Sequence, residues 1–164
     1  MHNNMKTVII GLGNPFLTDD SVGIRVSQEL KKIIKNENIR VVEMYAGGIR
    51  LLDELENNDF AILIDSIKTE TGKPGDVYQF SPSDFDSTNN VVSLHDMNLS
   101  TALNLGNMIN LHLPEEIKIW GIEGVDFNNF GTKLTPEVEY AIPKVVNDII
   151  NELNIEYNFH EATL

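Results

Sequence analysis

The 164-residue chain carries 12 Lys+Arg against 25 Asp+Glu, a formal net charge of −13, with 41% hydrophobic residues and no cysteine. One core of ordinary size fits that length, so a single domain spanning 1–164 is expected, its core at about 6–153 and a loosely packed tail at 154–164. The charge balance argues against nucleic acid or anionic lipid as partner, because both demand clustered cations. The missing cysteines exclude disulfides, thiolate nucleophiles and Cys-ligated zinc, and they fit a reducing cytoplasmic setting. No apolar stretch is long enough for a signal core or a membrane span.

Short apolar runs alternate with longer periodic segments along the chain. Thr7 to Ile10 (TVII) reads as a buried strand ending at Gly11, followed by a Gly/Asn/Pro loop to Asp20. Ser21 to Lys35 places Val22, Val26, Leu30, Ile33 and Ile34 at helical spacing, with lysines in its last turns, where they complement the helix dipole. A strand at Arg40 to Met44 and a helix at about Ile49 to Leu55 come next. Phe60 to Ile64 (FAILI) has the continuous apolar character of a central parallel strand and stops at Asp65. Val77 to Phe80, entered through a turn, predicts an antiparallel edge strand. Residues 81–97 read as a polar connection, Asn98 to Ile109 as a helix and Ile117 to Ile122 as a fifth strand. Thr135-Pro136 opens the last helix, to Leu153, as N-cap and first-turn proline. This order predicts a three-layer α/β/α sandwich with a mostly parallel, about five-stranded twisted sheet.

In such sheets ligands gather beyond the carboxyl ends of the strands. The loops there carry Asp19 and Asp20, then Asp65-Ser66, then Ser93-Leu94-His95-Asp96. Two carboxylates and an imidazole from separate loops suit one divalent metal. Simpler readings stand beside this one: Asp19 and Asp20 as helix caps, Asp65 as a loop cap, His95 as a bystander like His2, His112 and His160. Dinucleotide binding has poor support, because Phe16 occupies the third glycine position of the fingerprint and two aspartates stand where a pyrophosphate would sit. No G-x-S-x-G elbow and no H-E-x-x-H helix is present.

The segment Gly11-Leu12-Gly13-Asn14-x-x-Leu17-Thr18-Asp19-Asp20-x-x-Gly23 resembles the opening motif of the nickel–iron hydrogenase maturation endopeptidases. Ile62-Leu63-Ile64-Asp65-Ser66, Ser93-Leu94-His95-Asp96 and Gly131-x-x-Leu134-Thr135-Pro136-Glu137-Val138-Glu139 agree with it in order and spacing. The resemblance spans about Lys6 to Leu153. It implies a metal-dependent endopeptidase that recognises nickel already inserted in a hydrogenase large-subunit precursor and removes a short C-terminal extension. It also implies Asp20, Asp65 and His95 as both metal-binding and catalytic residues, with nickel supplied by the precursor and other divalent cations able to substitute. A non-catalytic module that binds nickel or hydrogenase is the alternative. Departures from the family pattern are Ser21 for a common Gly, Gly124 where Pro often stands, and a partial match at Glu43-Met44-Tyr45-Ala46-Gly47-Gly48. The sequence leaves open the roles of Glu43, Asp19, Asp96 and Glu123, and whether metal activates water or only positions the chain.

Overall fold

A computed structural model describes residues 5–45, 47–87, 91–93 and 99–154. Its strands are β1 (Thr7–Leu12), β2 (Ile39–Met44), β3 (Phe60–Thr69), β4 (Val77–Phe80), β5 (Val91–Ser93) and β6 (Glu116–Glu123). The helices are α1 (Val22–Ile33), α2 (Leu51–Leu55), α3 (Pro82–Ser87), α4 (Leu99–Met108) and α5 (Pro136–Glu152), with 3-10 turns at Asp19–Ser21 and Gly48–Arg50. The main sheet runs in the order β2-β1-β3-β6-β4, with β5 paired to β3 off that path. β1–β2, β1–β3 and β3–β6 are parallel, whereas β4–β6 and β3–β5 are antiparallel.

The expected sandwich is present, and period-2 alternation along the strands builds its two cores. Ile9, Ile62, Ile64, Trp120 and Ile122 face α1 and α5. Val8, Ile10, Ala61, Leu63 and Ile119 face the layer formed by α2 and α4. Because both faces are covered, Phe60 to Ile64 are all 0% exposed, which is why that run reads as continuously apolar. Burying each of its larger side chains contributes about 1.5–3 kcal/mol. α5 stops where Leu153 caps it and Asn154 adopts a left-handed φ of 51°. The tail expected from 154 onward falls almost wholly outside the described residues.

The segment expected to be a polar connection at 81–97 instead contributes α3 and β5. Each is short, and neither has the apolar period that reveals an element in isolation.

Two glycines bring α1 against the sheet. A Cβ on Gly23 would lie 2.2 Å from the Leu12 carbonyl oxygen and 2.4 Å from that of Ile64, and one on Gly11 would lie 2.3 Å from the Gly23 oxygen. The start of α1 therefore presses directly on the ends of β1 and β3, and this contact sets the position of the preceding Asp19–Ser21 turn. Gly23→Ala must push backbone from backbone, so it is expected to cost at least about 3 kcal/mol in denaturant unfolding, at the upper end of overpacking. A loss below about 1 kcal/mol would show that the helix has room to retreat.

Candidate functional site

The chain passes from β1 outward to β2, then returns across β1 to β3, so the strand order reverses between β1 and β3. A crevice opens at such a reversal beyond the carboxyl ends of the strands. β1 pairs with β3 as far as Gly11↔Ile64, and β5 takes up the same edge from Ile67↔Ser93 onward. Asp65 and Ser66 lie at this change of neighbour, and the turn after β1 brings Asp20 to them.

Asp20 and Asp65 are 4% and 0% exposed. Such burial of a carboxylate demands compensating donors, and Ser66 supplies one to each. Its hydroxyl donates to Asp20 Oδ1 at 3.1 Å, and its backbone N–H donates to Asp65 Oδ1 at 2.8 Å. The Asn14 N–H donates to Asp20 Oδ2 at 3.2 Å. These contacts put both sequence-predicted carboxylates around one residue. The third predicted ligand, His95, and its neighbour Asp96 lie outside the described residues. Among the described residues no cluster of three or more His, Cys, Asp or Glu side chains forms a metal site.

Asp19 has a different task. Its carboxylate is 0% exposed and accepts from the Val125 N–H (3.0 Å), the Asp126 N–H (2.9 Å), the Thr135 N–H (2.8 Å) and the Thr135 hydroxyl (2.9 Å to Oδ1). It ties the turn before α1 to the loop after β6 and to the start of α5. Capping of its own helix is not what Asp19 does: no side-chain cap is made at the Asp19–Ser21 turn or at α1. Thr135 stands at the N-cap of α5 as expected, but its side chain makes no cap bond because its hydroxyl is spent on Asp19. Sequence reading had no signal for this link, which joins residues 116 positions apart.

The same loop is fastened from Thr18, whose N–H and hydroxyl both donate to the Asn129 carbonyl, and from Phe16, whose carbonyl accepts the Gly131 N–H. Asp126 anchors it internally. The Asn129 side chain, then its backbone N–H, hold the Asp126 carboxyl below the ordinary carboxylate range. Because that pKa is lowered on folding, its support is complete above the ordinary range and is lost as pH falls through the depressed value. These bonds present Phe16 and Phe130, 67% and 88% exposed, on adjoining loops joined by the Leu17–Phe130 bridge.

Glu43 and Glu123 are both held by neighbouring residues of the fold. Glu43, on β2, pairs with Lys31 of α1 at 2.7 Å and accepts from Gln28 at 3.3 Å. Glu123 is buried at the end of β6 and accepts the Thr69 N–H at 2.9 Å, bracing the extension of β3. A cleft of about 450 Å³ beside β4, lined in part by Tyr78, Trp120 and Lys144, contains neither Asp20 nor Asp65. No helix among the described residues is long and apolar enough to cross a membrane.

A mostly parallel sheet with buried polar side chains at its strand-order reversal is the architecture in which open α/β proteins bind their ligands. Residues 24–152 match the hydrogenase maturation protease family (HycI), and the chain belongs to that family. Asp65 and His95 fall inside the matched range and Asp20 just before it. The chain is 24% identical over 152 residues to the hydrogenase 2 maturation protease of Escherichia coli (strain K12), covering 91% of each. It is 21% identical to the hydrogenase expression/formation protein HupD of Thiocapsa roseopersicina, over 96% of this chain and 69% of that protein. Among solved structures, the [NiFe] hydrogenase maturation protease HybD from Thermococcus kodakarensis superposes with a TM-score of 0.75 at 26% identity, over 91% and 99% of the two chains. The maturating endopeptidase HybD from E. coli shares the fold with a TM-score of 0.79 at 24% identity, over 92% and 93%.

Proposed function

We propose that the protein is an endopeptidase that removes a short C-terminal extension from a nickel-loaded hydrogenase large-subunit precursor, with Asp20, Asp65 and His95 gripping the nickel that the precursor carries. The observation behind this reading is the pair of buried carboxylates held around Ser66 at the strand-order reversal. Its donor chemistry suits the task. Carboxylate oxygens complement a borderline divalent ion already held by softer ligands of the substrate, and this cysteine-free chain has no thiolate with which to compete for it. The antiparallel register from Val91↔Thr69 to Ser93↔Ile67 runs toward Asp65, and His95 follows Ser93 by two positions in the chain.

Recognition through the metal makes processing conditional on nickel insertion, since an empty precursor lacks the group that these side chains grip. Peptide hydrolysis requires a polarised carbonyl and an activated water, and a bound divalent ion favours both. The chain contributes ligands, their fixed orientation and a partly desolvated crevice in which charge interactions gain strength. The exposed pair Phe16 and Phe130 suits a protein substrate, because aromatics held on fastened loops act as anchors for a partner surface. Phe130→Ser is accordingly expected to raise KM for the precursor about tenfold with kcat nearly unchanged. An equal fall in kcat, or no change at all, would remove Phe130 from the docking surface.

The direct test is mass spectrometry of purified precursor, nickel-loaded or nickel-free, incubated with the wild-type chain. Loss of a C-terminal peptide from the loaded precursor alone is the expected result. Binding without shortening would replace the protease with the non-catalytic module, and cleavage of both forms would remove the nickel check.

A further inference from the structure

We propose that Ser66 is a positioning residue that holds Asp20 and Asp65 in one binding geometry, an inference that rests on the reading of those carboxylates as nickel ligands. Ser66 is fully buried and bonds both acids: its hydroxyl reaches Asp20 Oδ1 at 3.1 Å, and its N–H reaches Asp65 Oδ1 at 2.8 Å. The two bonds differ in kind. The N–H belongs to the backbone of β3 and survives any side-chain change, whereas the hydroxyl links the turn after β1 to β3 across 46 residues. A carboxylate rotates about two side-chain bonds, and the Asn14 N–H, on the loop after β1, restrains its other oxygen. The Ser66 hydroxyl fixes Asp20 against the sheet itself. It thereby limits how the Asp20 carboxylate can turn, in the way that outer hydrogen bonds orient metal ligands.

The alternative is that Ser66 merely fills space at the end of a strand. Three substitutions separate the two roles. Ser66→Ala removes the hydroxyl, Ser66→Thr keeps it, and Ser66→Val has the shape of Thr without it. The readouts are the affinity of the full chain for Ni²⁺ alone, measured by titration calorimetry, and KM and kcat on the nickel-loaded precursor. Ser66→Ala and Ser66→Val are expected to weaken Ni²⁺ binding about tenfold and to raise KM by a similar factor, the weight of one charge-assisted hydrogen bond. Ser66→Thr is expected to stay within about threefold of wild type. Should Ser66→Thr and Ser66→Val not fold, Ser66→Ala decides by the same two readouts. Wild-type affinity and KM in Ser66→Ala, alongside their loss in Asp20→Asn, would overturn the role of Ser66 and leave the carboxylate site standing. Wild-type values in Asp20→Asn as well would overturn the site and this proposal together.

Discussion

Asp19→Ala is expected to destabilise the fold by about 3–5 kcal/mol, because it strands several buried or half-buried donors at once. The Thr135 N–H and hydroxyl and the Val125 and Asp126 N–H groups all end on this carboxylate. For a chain of this length that loss corresponds to a fall of roughly 10 °C or more in Tm. Asp19→Asn keeps one acceptor oxygen but turns an NH₂ toward the remaining donors, so it should fall between wild type and Asp19→Ala. Chemical denaturation followed by circular dichroism measures both. A loss below about 1 kcal/mol for Asp19→Ala would mean that the β6–α5 loop is held by Thr18 and Asn129 instead. Any fall in processing by these variants should track the fraction unfolded, which distinguishes Asp19 from its neighbour.

Asp20→Asn and Asp65→Asn are expected to do the reverse, lowering precursor processing by at least about a hundredfold. That figure is the upper range for disturbing even the outer partners of a metal ligand, so losing a ligand should reach it. Their effect on folding should be smaller than that of Asp19→Ala, since an amide fits the same volume and its oxygen still accepts from Ser66, although in Asp20→Asn the NH₂ then turns toward the Asn14 N–H. The measurement is initial rate of extension release with the variant's folded fraction checked in parallel. Processing within tenfold of wild type in either variant would detach that residue from the site.

The adjacent aspartates Asp19 and Asp20 keep different partners, and only part of that difference is legible in the sequence. The FAILI run, its terminal Asp65 and the loop ending at Asp20 are local signals, and α/β topology alone says that they meet beyond the strand ends. The expected sandwich and the antiparallel edge at Val77–Phe80 follow from the same periodicities. Asp19 could not be separated from Asp20 this way, because its partners lie more than 100 residues on, in a loop whose own sequence announces no fold. Glu123 gives the converse lesson. Like Asp65 it closes a buried strand, yet the Thr69 N–H meets it, and it braces the sheet instead of the crevice. β5 escaped detection because Val91–Ser93 is three residues long and depends on β3 for its existence.

The departures from the family pattern have local meaning. Glu43 is occupied by Lys31 and Gln28, so the partial match after β2 supports the packing of α1 against that strand. Gly124 lies where a Cβ would meet the Phe127 ring at 2.6 Å and Asp19 Cβ at 3.1 Å, so a small residue there lets the loop close over Asp19.

The central claim is convergence of Asp20, Asp65 and His95 on one ion, and crystals of the full chain soaked in Ni²⁺ or Cd²⁺ test it most directly. The account predicts an anomalous peak at the β1–β3 reversal, coordinated by an oxygen of each aspartate and a ring nitrogen of His95, and absent from Asp65→Asn crystals. A peak ligated elsewhere, or one at the reversal that leaves His95 or either carboxylate out of reach, would contradict it.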